Sequence, residues 1–191
     1  MLALFFEMLP KPGHMDHYFR HVAMLKPVLE QHDGLKWLDR FTSLTQDSKI
    51  LSHQLWQDEA AIIRWRENRQ HKGSQNAGRE KHFIDYRIRI IQVAHHAKAG
   101  QRASSFAFDE ASPAGWVVAG HATSRALPGG DEQFNSVNFN DAFVTLAGVA
   151  DQDAAMSLAA RWGDDEAMSW VIAGKLIRDY GMHERAQAPH P

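Results

Sequence analysis

Phe83-Ile-Asp-Tyr-Arg-Ile-Arg-Ile-Ile-Gln-Val93 sets Ile84, Tyr86, Ile88 and Ile90 on one face and Asp85, Arg87 and Arg89 on the other. Period-two alternation of this clarity is a β-strand with one face against a core. Upstream of it the period changes. Asp58 is an N-cap for a helix through Ala60, Ala61, Ile62 and Trp65, and the helical pattern resumes past a break near Asn68 to about Ala77, where Gly78 ends it. Leu35 to Leu44 and Lys49 to Trp56 read as strands joined by the turn Thr45-Gln-Asp-Ser48, an antiparallel hairpin. From His14 to His32, Met15, Tyr18, Phe19, Val22, Leu25 and Leu29 recur at helical spacing; Asp33-Gly34 is the stop, and Pro27 is expected to kink the last turns. Leu2 to Met8 is an apolar strand closed by Pro10-Lys-Pro-Gly13.

Strand, helix, strand, strand, helix, strand over residues 1–96 is the split βαβ arrangement, a four-stranded antiparallel sheet with two helices on one face. The other face, expected to bear Tyr86 and its neighbours, would then be bare and needs a second sheet. The rest of the chain can supply it. Beyond a linker-like stretch at 97–115, rich in Ala, Ser and Gly, an imperfect echo of the first half runs over 116–191. Asp58-Glu-Ala-Ala61, Arg64-Trp65 and Ile84-Asp-Tyr86 return as Asp153-Ala-Ala155, Arg161-Trp162 and Ile177-Arg-Asp-Tyr180. Trp116 to Ser124 and Phe134 to Asn140 read as strands with only the turn Pro128-Gly-Gly130 between them, so the first helix of the second unit is missing. The expected fold is α+β, two tandem ferredoxin-like units with their sheets packed face to face. Only the first unit can roof its sheet with two helices.

Composition narrows the function classes. The 191 residues are 44% hydrophobic and 23% charged, ordinary for a globular protein, and 21 Lys plus Arg against 23 Asp plus Glu leave a net charge of −2. No basic field is available for a nucleic acid. The absence of Cys excludes thiol nucleophiles, iron–sulfur clusters and Cys-ligated zinc. The apolar start, Met1 to Pro10, is too short for a signal core and contains Glu7, and no run approaches the roughly 20 apolar residues that cross a bilayer. A cytoplasmic protein with no membrane partner is expected.

The first half resembles the antibiotic biosynthesis monooxygenase family, whose members share a dimeric ferredoxin-like α/β barrel. The resemblance is carried by Pro12-Gly13, Leu25-Lys-Pro27, Asp33-Gly34, Arg40-Phe41-Thr-Ser-Leu44, Trp56-Gln-Asp-Glu59, Arg64-Trp65, His71, Gly78-Arg79-Glu80 and Phe83-Ile-Asp-Tyr-Arg87. The ending Asp179-Tyr-Gly-Met-His-Glu-Arg185 resembles the close of such domains. It implies a barrel closed as an intrachain pseudo-dimer and leaves a further homodimer open. In cofactor-independent members an Asn, a Trp, a Tyr and an Arg surround a phenolic substrate. Here Trp65 matches the Trp, Arg87 is the counterpart of the Arg, His71 stands in place of the Tyr, and Ala61 replaces the Asn. Haem-degrading relatives carry an Asn on the first strand and a His ten residues after the Trp; Glu7 or Met8 and Gln75 occupy those places, so the haem ligand is missing from the pattern.

Oxygen chemistry without metal or flavin needs an electron-rich, deprotonated substrate, hence a base, a dry cavity and donors for the developing anion. His71 is the candidate base, Trp65 a surface for an aromatic ring, and Arg87 or Gln75 the donors, with Glu7 and Trp56 as further substrate contacts. A small aromatic substrate and no cofactor are expected. Haem binding or degradation, and a non-catalytic ligand-binding or assembly module, are the alternatives. Each residue also has a plain reading: Trp65 as a core anchor, His71 as a cap, Arg87 and Arg89 as surface charges, and Glu7 as the partner of one of them. His14, His17 and His21 share a 60° arc of the first helix, at about 100° per residue, beside its apolar face. They read as a polar edge, and no metal site is assigned.

Overall fold

The computed structural model describes residues 1–108 and 115–189. The first unit runs β1 (Leu2–Pro10), α1 (Met15–Glu30), β2 (Leu35–Ser43), β3 (Ile50–Trp56), α2 (Glu59–Glu67), α3 (Arg69–Ala77), a π-helical turn (Gly78–His82) and β4 (Phe83–Lys98). After the two-residue β5 (Ser104–Ser105) come β6 (Trp116–Thr123), β7 (Glu132–Ser136), β8 (Ala142–Val149), α4 (Gln152–Gly163) and β9 (Met168–Gly181). Part of the expected linker, residues 109–114, lies outside the described residues. Asp58 caps α2 by accepting from the Ala61 amide at 2.8 Å, and Asp151 does the same for Ala154 at 2.9 Å in α4. Replacing either Asp by Ala is expected to lower stability by about 1 kcal/mol, read as the shift in a urea unfolding midpoint; no shift in either variant would show the caps to be idle.

Both units have the same strand order, β2-β3-β1-β4 and β7-β8-β6-β9, every neighbouring pair antiparallel. The two sheets face each other as expected, and they are also hydrogen-bonded along both edges. Phe41, Thr42 and Ser43 pair with Ser136, Asn135 and Phe134 on one seam, and β4 pairs with β9 from Arg87–Gly181 to Lys98–Trp170 on the other. The result is a closed eight-stranded α/β barrel made within one chain, with β5 an appendage on β4. Closure leaves no sheet edge among these eight strands.

Side chains inside the barrel form three zones. Phe5, Phe41, Leu51, Ile91, Val117, Phe134, Val144, Leu146 and Ile172 make a buried apolar core from both units. Toward one end Glu7 pairs with Arg89 and, at 2.8 Å, with Lys49, and Glu132 of the second unit pairs with Lys49. Burial drives the Glu7 carboxyl up, but Arg89 and Lys49 outweigh it and hold it below the usual range. Elsewhere in the interior His53 and His121 meet, Nδ1 to Nε2, at 2.9 Å among Trp37, Phe41 and Trp170; the His121 ring stacks on Trp170 at 3.6 Å. Burial alone pushes His53 down to about 3.

Outside the barrel the two units differ. In the first, α1, α2 and α3 lie over the sheet. Gly34 touches α2 so closely that a Cβ there would lie 2.2 Å from that of Ala61. In the second, residues 124–131 connect β6 to β7 without a helix. Leu127 and Trp162 fill the space instead: a Cβ on Gly120 would meet them at 2.5 and 2.6 Å, and the Trp162 indole N–H donates to the Pro128 carbonyl at 2.8 Å.

Tyr86 is placed opposite to expectation. With Met8, Tyr18, Ile50 and Phe83 it packs under the helices, so Arg87 and Arg89 face the barrel side. The alternation was right and its direction reversed, because Glu7 and Glu132 meet Arg89 and Asp179 meets Arg87 from within. α4 is capped by Asp151, and β7 is centred earlier than Phe134 to Asn140.

Candidate functional site

Between the helices and the sheet of the first unit lies a hollow of about 110 Å³. Its apolar walls include Phe6, Val22, Leu25, Leu29 and Phe83, and its polar lining includes Arg40, Ser52, Gln54, His71 and Gln75. A second groove, about 680 Å³ and open to solvent, lies between the end of β4 and α4 with Lys98, Asp164, Asp165 and Glu166 at its margin. It has no roof to exclude water.

Asn68 makes the roof of the hollow. It ends α2 and caps α3, its side chain accepting from the Gln70 and His71 amides at 3.0 and 3.2 Å. The chain turns there so that the His71 ring lies flat against Trp65, centroids 4.2 Å apart and planes 18° apart. His71 Nδ1 is 2.9 Å from the Trp65 carbonyl oxygen. A carbonyl only accepts, so Nδ1 carries the hydrogen and Nε2 the lone pair. Burial pushes His71 down to about 4 against the opposing pull of that carbonyl, which keeps the ring neutral at pH 7.

The floor comes from β2 and β3, where Arg40 and Ser52 are cross-strand partners. The Trp56 indole N–H donates to Gln54 Oε1 at 2.9 Å, and Gln54 Nε2 donates to Ser52 Oγ at 3.1 Å. An indole nitrogen cannot accept, so this chain of donors has one direction, and it leaves the Ser52 hydroxyl hydrogen free to donate. The Arg40 Nε is buried without a hydrogen-bond partner. Its polar neighbour is the Tyr18 hydroxyl, which burial holds above the usual phenol range although Arg40 pulls it down.

His21 and His82 line the hollow on its outer side, and His14 and His17 meet them. His14 Nδ1 lies 2.9 Å from His82 Nδ1, the His17 ring stacks on His82 at 4.9 Å, and His21 Nδ1 meets Ser74 Oγ at 2.9 Å. The helix stripe therefore has a fourth member that the sequence reading did not include, brought in by the π-helical turn.

Trp65, His71 and Gln75 lie together at the hollow. Trp65 is both core anchor and wall, and the imidazole covers one face of its ring. Trp56 is fully buried and reaches the hollow only through Gln54. Arg87 is elsewhere: its guanidinium makes a two-pronged pair with Asp179, at 2.8 and 2.6 Å, on the opposite side of the sheet. Glu7 is inside the barrel with Arg89, as the plain reading had it. Arg87 and Glu7 are thus corrected as pocket residues, and Arg40 and Ser52 were missed.

Residues 1–77 match the family model described as antibiotic biosynthesis monooxygenase. A curated relative, jasmonate monooxygenase ABM of Pyricularia oryzae, is 34% identical over 101 residues, 53% of this chain and 47% of that one. The chain therefore spans about half the length of this relative. Among solved structures, a protein from Pseudomonas aeruginosa is 18% identical with a TM-score of 0.43, covering 47% of this chain and 90% of its own. An anthrone oxidase-like protein is 9% identical with a TM-score of 0.45 and covers 99% of this chain and 96% of its own.

Proposed function

Taking as premise that residues 1–77 carry an antibiotic biosynthesis monooxygenase domain, we propose that the hollow under Trp65 oxidises a small ring substrate with molecular oxygen and without a cofactor. The observation that carries this reading is the fixed tautomer of His71, a neutral imidazole at a hollow whose Nε2 is left to take a proton. His71 takes a proton from a phenol or an activated C–H, Gln75 donates to the oxygen anion that forms, and the apolar walls keep water away. The electron-rich carbanion form then reduces O₂. A ring CH₂ becomes C=O, one oxygen atom entering the substrate and the other leaving as water, so the substrate supplies all four electrons. Trp65 acts through His71, holding its ring and its Nδ1 hydrogen, and is a positioning residue.

Haem is a poorer fit to these residues. The hollow, about 110 Å³, is smaller than the roughly 300–1,000 Å³ of pockets that enclose drug-sized ligands. The test is oxygen uptake with single-ring phenols and cyclic 1,3-diketones, of a size the hollow admits, in chelator-treated protein, alongside a haem titration. Uptake without added metal supports the proposal. A Soret band lost in His71→Ala would favour haem, and silence in both assays would leave a ligand-binding module.

No helix among the described residues is long and apolar enough to cross a membrane.

A further inference from the structure

Arg40 is a cation without a counter-ion. Among the described residues no carboxylate pairs with it. Its neighbour in sequence, Asp39, is engaged elsewhere: its oxygens accept from the Arg40 amide at 2.8 Å, Ser136 Oγ at 2.8 Å and Asn138 Nδ2 at 2.6 Å. Glu7 belongs to Arg89 and Lys49 on the other face of the sheet. The Tyr18 hydroxyl stays protonated and supplies no charge. A guanidinium at an apolar hollow with a buried, unsatisfied N–H is costly unless an anion arrives to meet it. Beside it the Trp56–Gln54–Ser52 chain delivers one more donor to the same floor. The floor therefore offers donors, while the roof, at His71 Nε2, offers a lone pair.

We infer that Arg40 and Ser52 form an anion subsite, and that the hollow takes a single-ring carboxylic acid with its carboxylate on Arg40 and its reacting end toward His71. The inference deepens the monooxygenase reading and rests on it only for which end of the bound acid reacts. A carboxylate matches the planar fork of a guanidinium. The surroundings select an organic anion over an inorganic one, because Phe6, Val22, Leu25, Leu29 and Phe83 reward a ring and cannot rehydrate a small ion. A monoanion is indicated, since Arg40 is the one side chain of the lining that carries a permanent positive charge.

Benzoate and its neutral isostere benzamide test this by calorimetry on the full chain. Benzoate is expected to bind at least about 10-fold more tightly than benzamide, and Arg40→Gln to weaken benzoate alone by about 10- to 100-fold, the range of hydrogen bonds to charged groups. Ser52→Ala should weaken it by about 5-fold. His71→Gln should leave benzoate bound while losing oxygen uptake, which separates this subsite from the chemistry: a parent protein that takes up no oxygen yet keeps its benzoate selectivity would sink the monooxygenase reading and spare the subsite. Because a half-buried cation with an unsatisfied Nε–H and no counter-ion adds no stability, Arg40→Gln should melt no lower than the parent. Equal affinity for benzoate and benzamide, unchanged benzoate affinity in Arg40→Gln, or displacement of benzoate by inorganic phosphate at equal concentration would each overturn the proposal.

Discussion

His71→Gln is expected to lower oxygen-dependent turnover by about 10²- to 10⁴-fold, the usual contribution of a positioned general base. The amide can still donate to the Trp65 carbonyl, so the fold and the wall of the hollow survive and the loss isolates Nε2. The pH profile carries a second, sharper expectation. kcat/KM reports the empty pocket, and there burial holds the imidazole near 4. A base of that kind stays deprotonated through the whole neutral range, so kcat/KM should be flat from about pH 8 to about pH 5, where an ordinary imidazole near 6.5 would already be mostly protonated. An acid limb centred near 6.5, or full turnover in the Gln variant, would remove His71 from the reaction.

Acid should also loosen the whole barrel. In the unfolded chain His53 and His71 titrate near 6.5; in the folded chain burial holds them near 3 and 4. Below 6.5 the unfolded state therefore binds more protons, and stability falls with pH until the folded values are reached. At about 1.36 kcal/mol per unit, the 1.5 units between 6.5 and 5 come to about 2 kcal/mol for each group and about 4 kcal/mol together. For a chain of this size that is a drop of roughly 10 °C in Tm between about pH 7.5 and about pH 5. His121 is lowered too, by burial first and by His53 and His96 second, and acts in the same direction. Calorimetric melts across this window check the size of the effect, and His53→Leu should remove the share of that one group, about 2 kcal/mol between pH 6.5 and 5. A Tm that does not move would mean that the imidazoles pick up protons without leaving the interior.

The first unit was legible because its local patterns agree with one another. The breaker cluster after β1, the hairpin, the Asp58 cap and the break at Asn68 all fall where the sequence places them. The direction of β4 was not legible. Alternation says which residues share a face, but whether Arg89 meets solvent or a buried Glu7 depends on strands far away in sequence. The seams have the same origin: nothing in Phe41-Thr-Ser43 identifies Phe134 as a neighbour until the barrel closes. Within the site, Trp65 and His71 were found by order and spacing. Arg40 entered only as part of the motif Arg40-Phe41-Thr-Ser-Leu44, because no local pattern tells which face of β2 it takes. A hint lay in the neighbouring strand, where Ser52 and Gln54 alternate with Leu51, His53 and Leu55, and all seven residues of β3 are buried. Polar side chains in an entirely buried strand ask for partners, and Arg40 lies across from one of them.

Leu127 and Trp162 have a numerical consequence. Although the polypeptide folds as two like halves, the half that lost a helix has its room taken by those two side chains. Titration with a tight small molecule should therefore saturate at one equivalent per polypeptide and follow a simple hyperbola, and substitutions over that filled half should alter thermal resistance while leaving catalytic selectivity untouched.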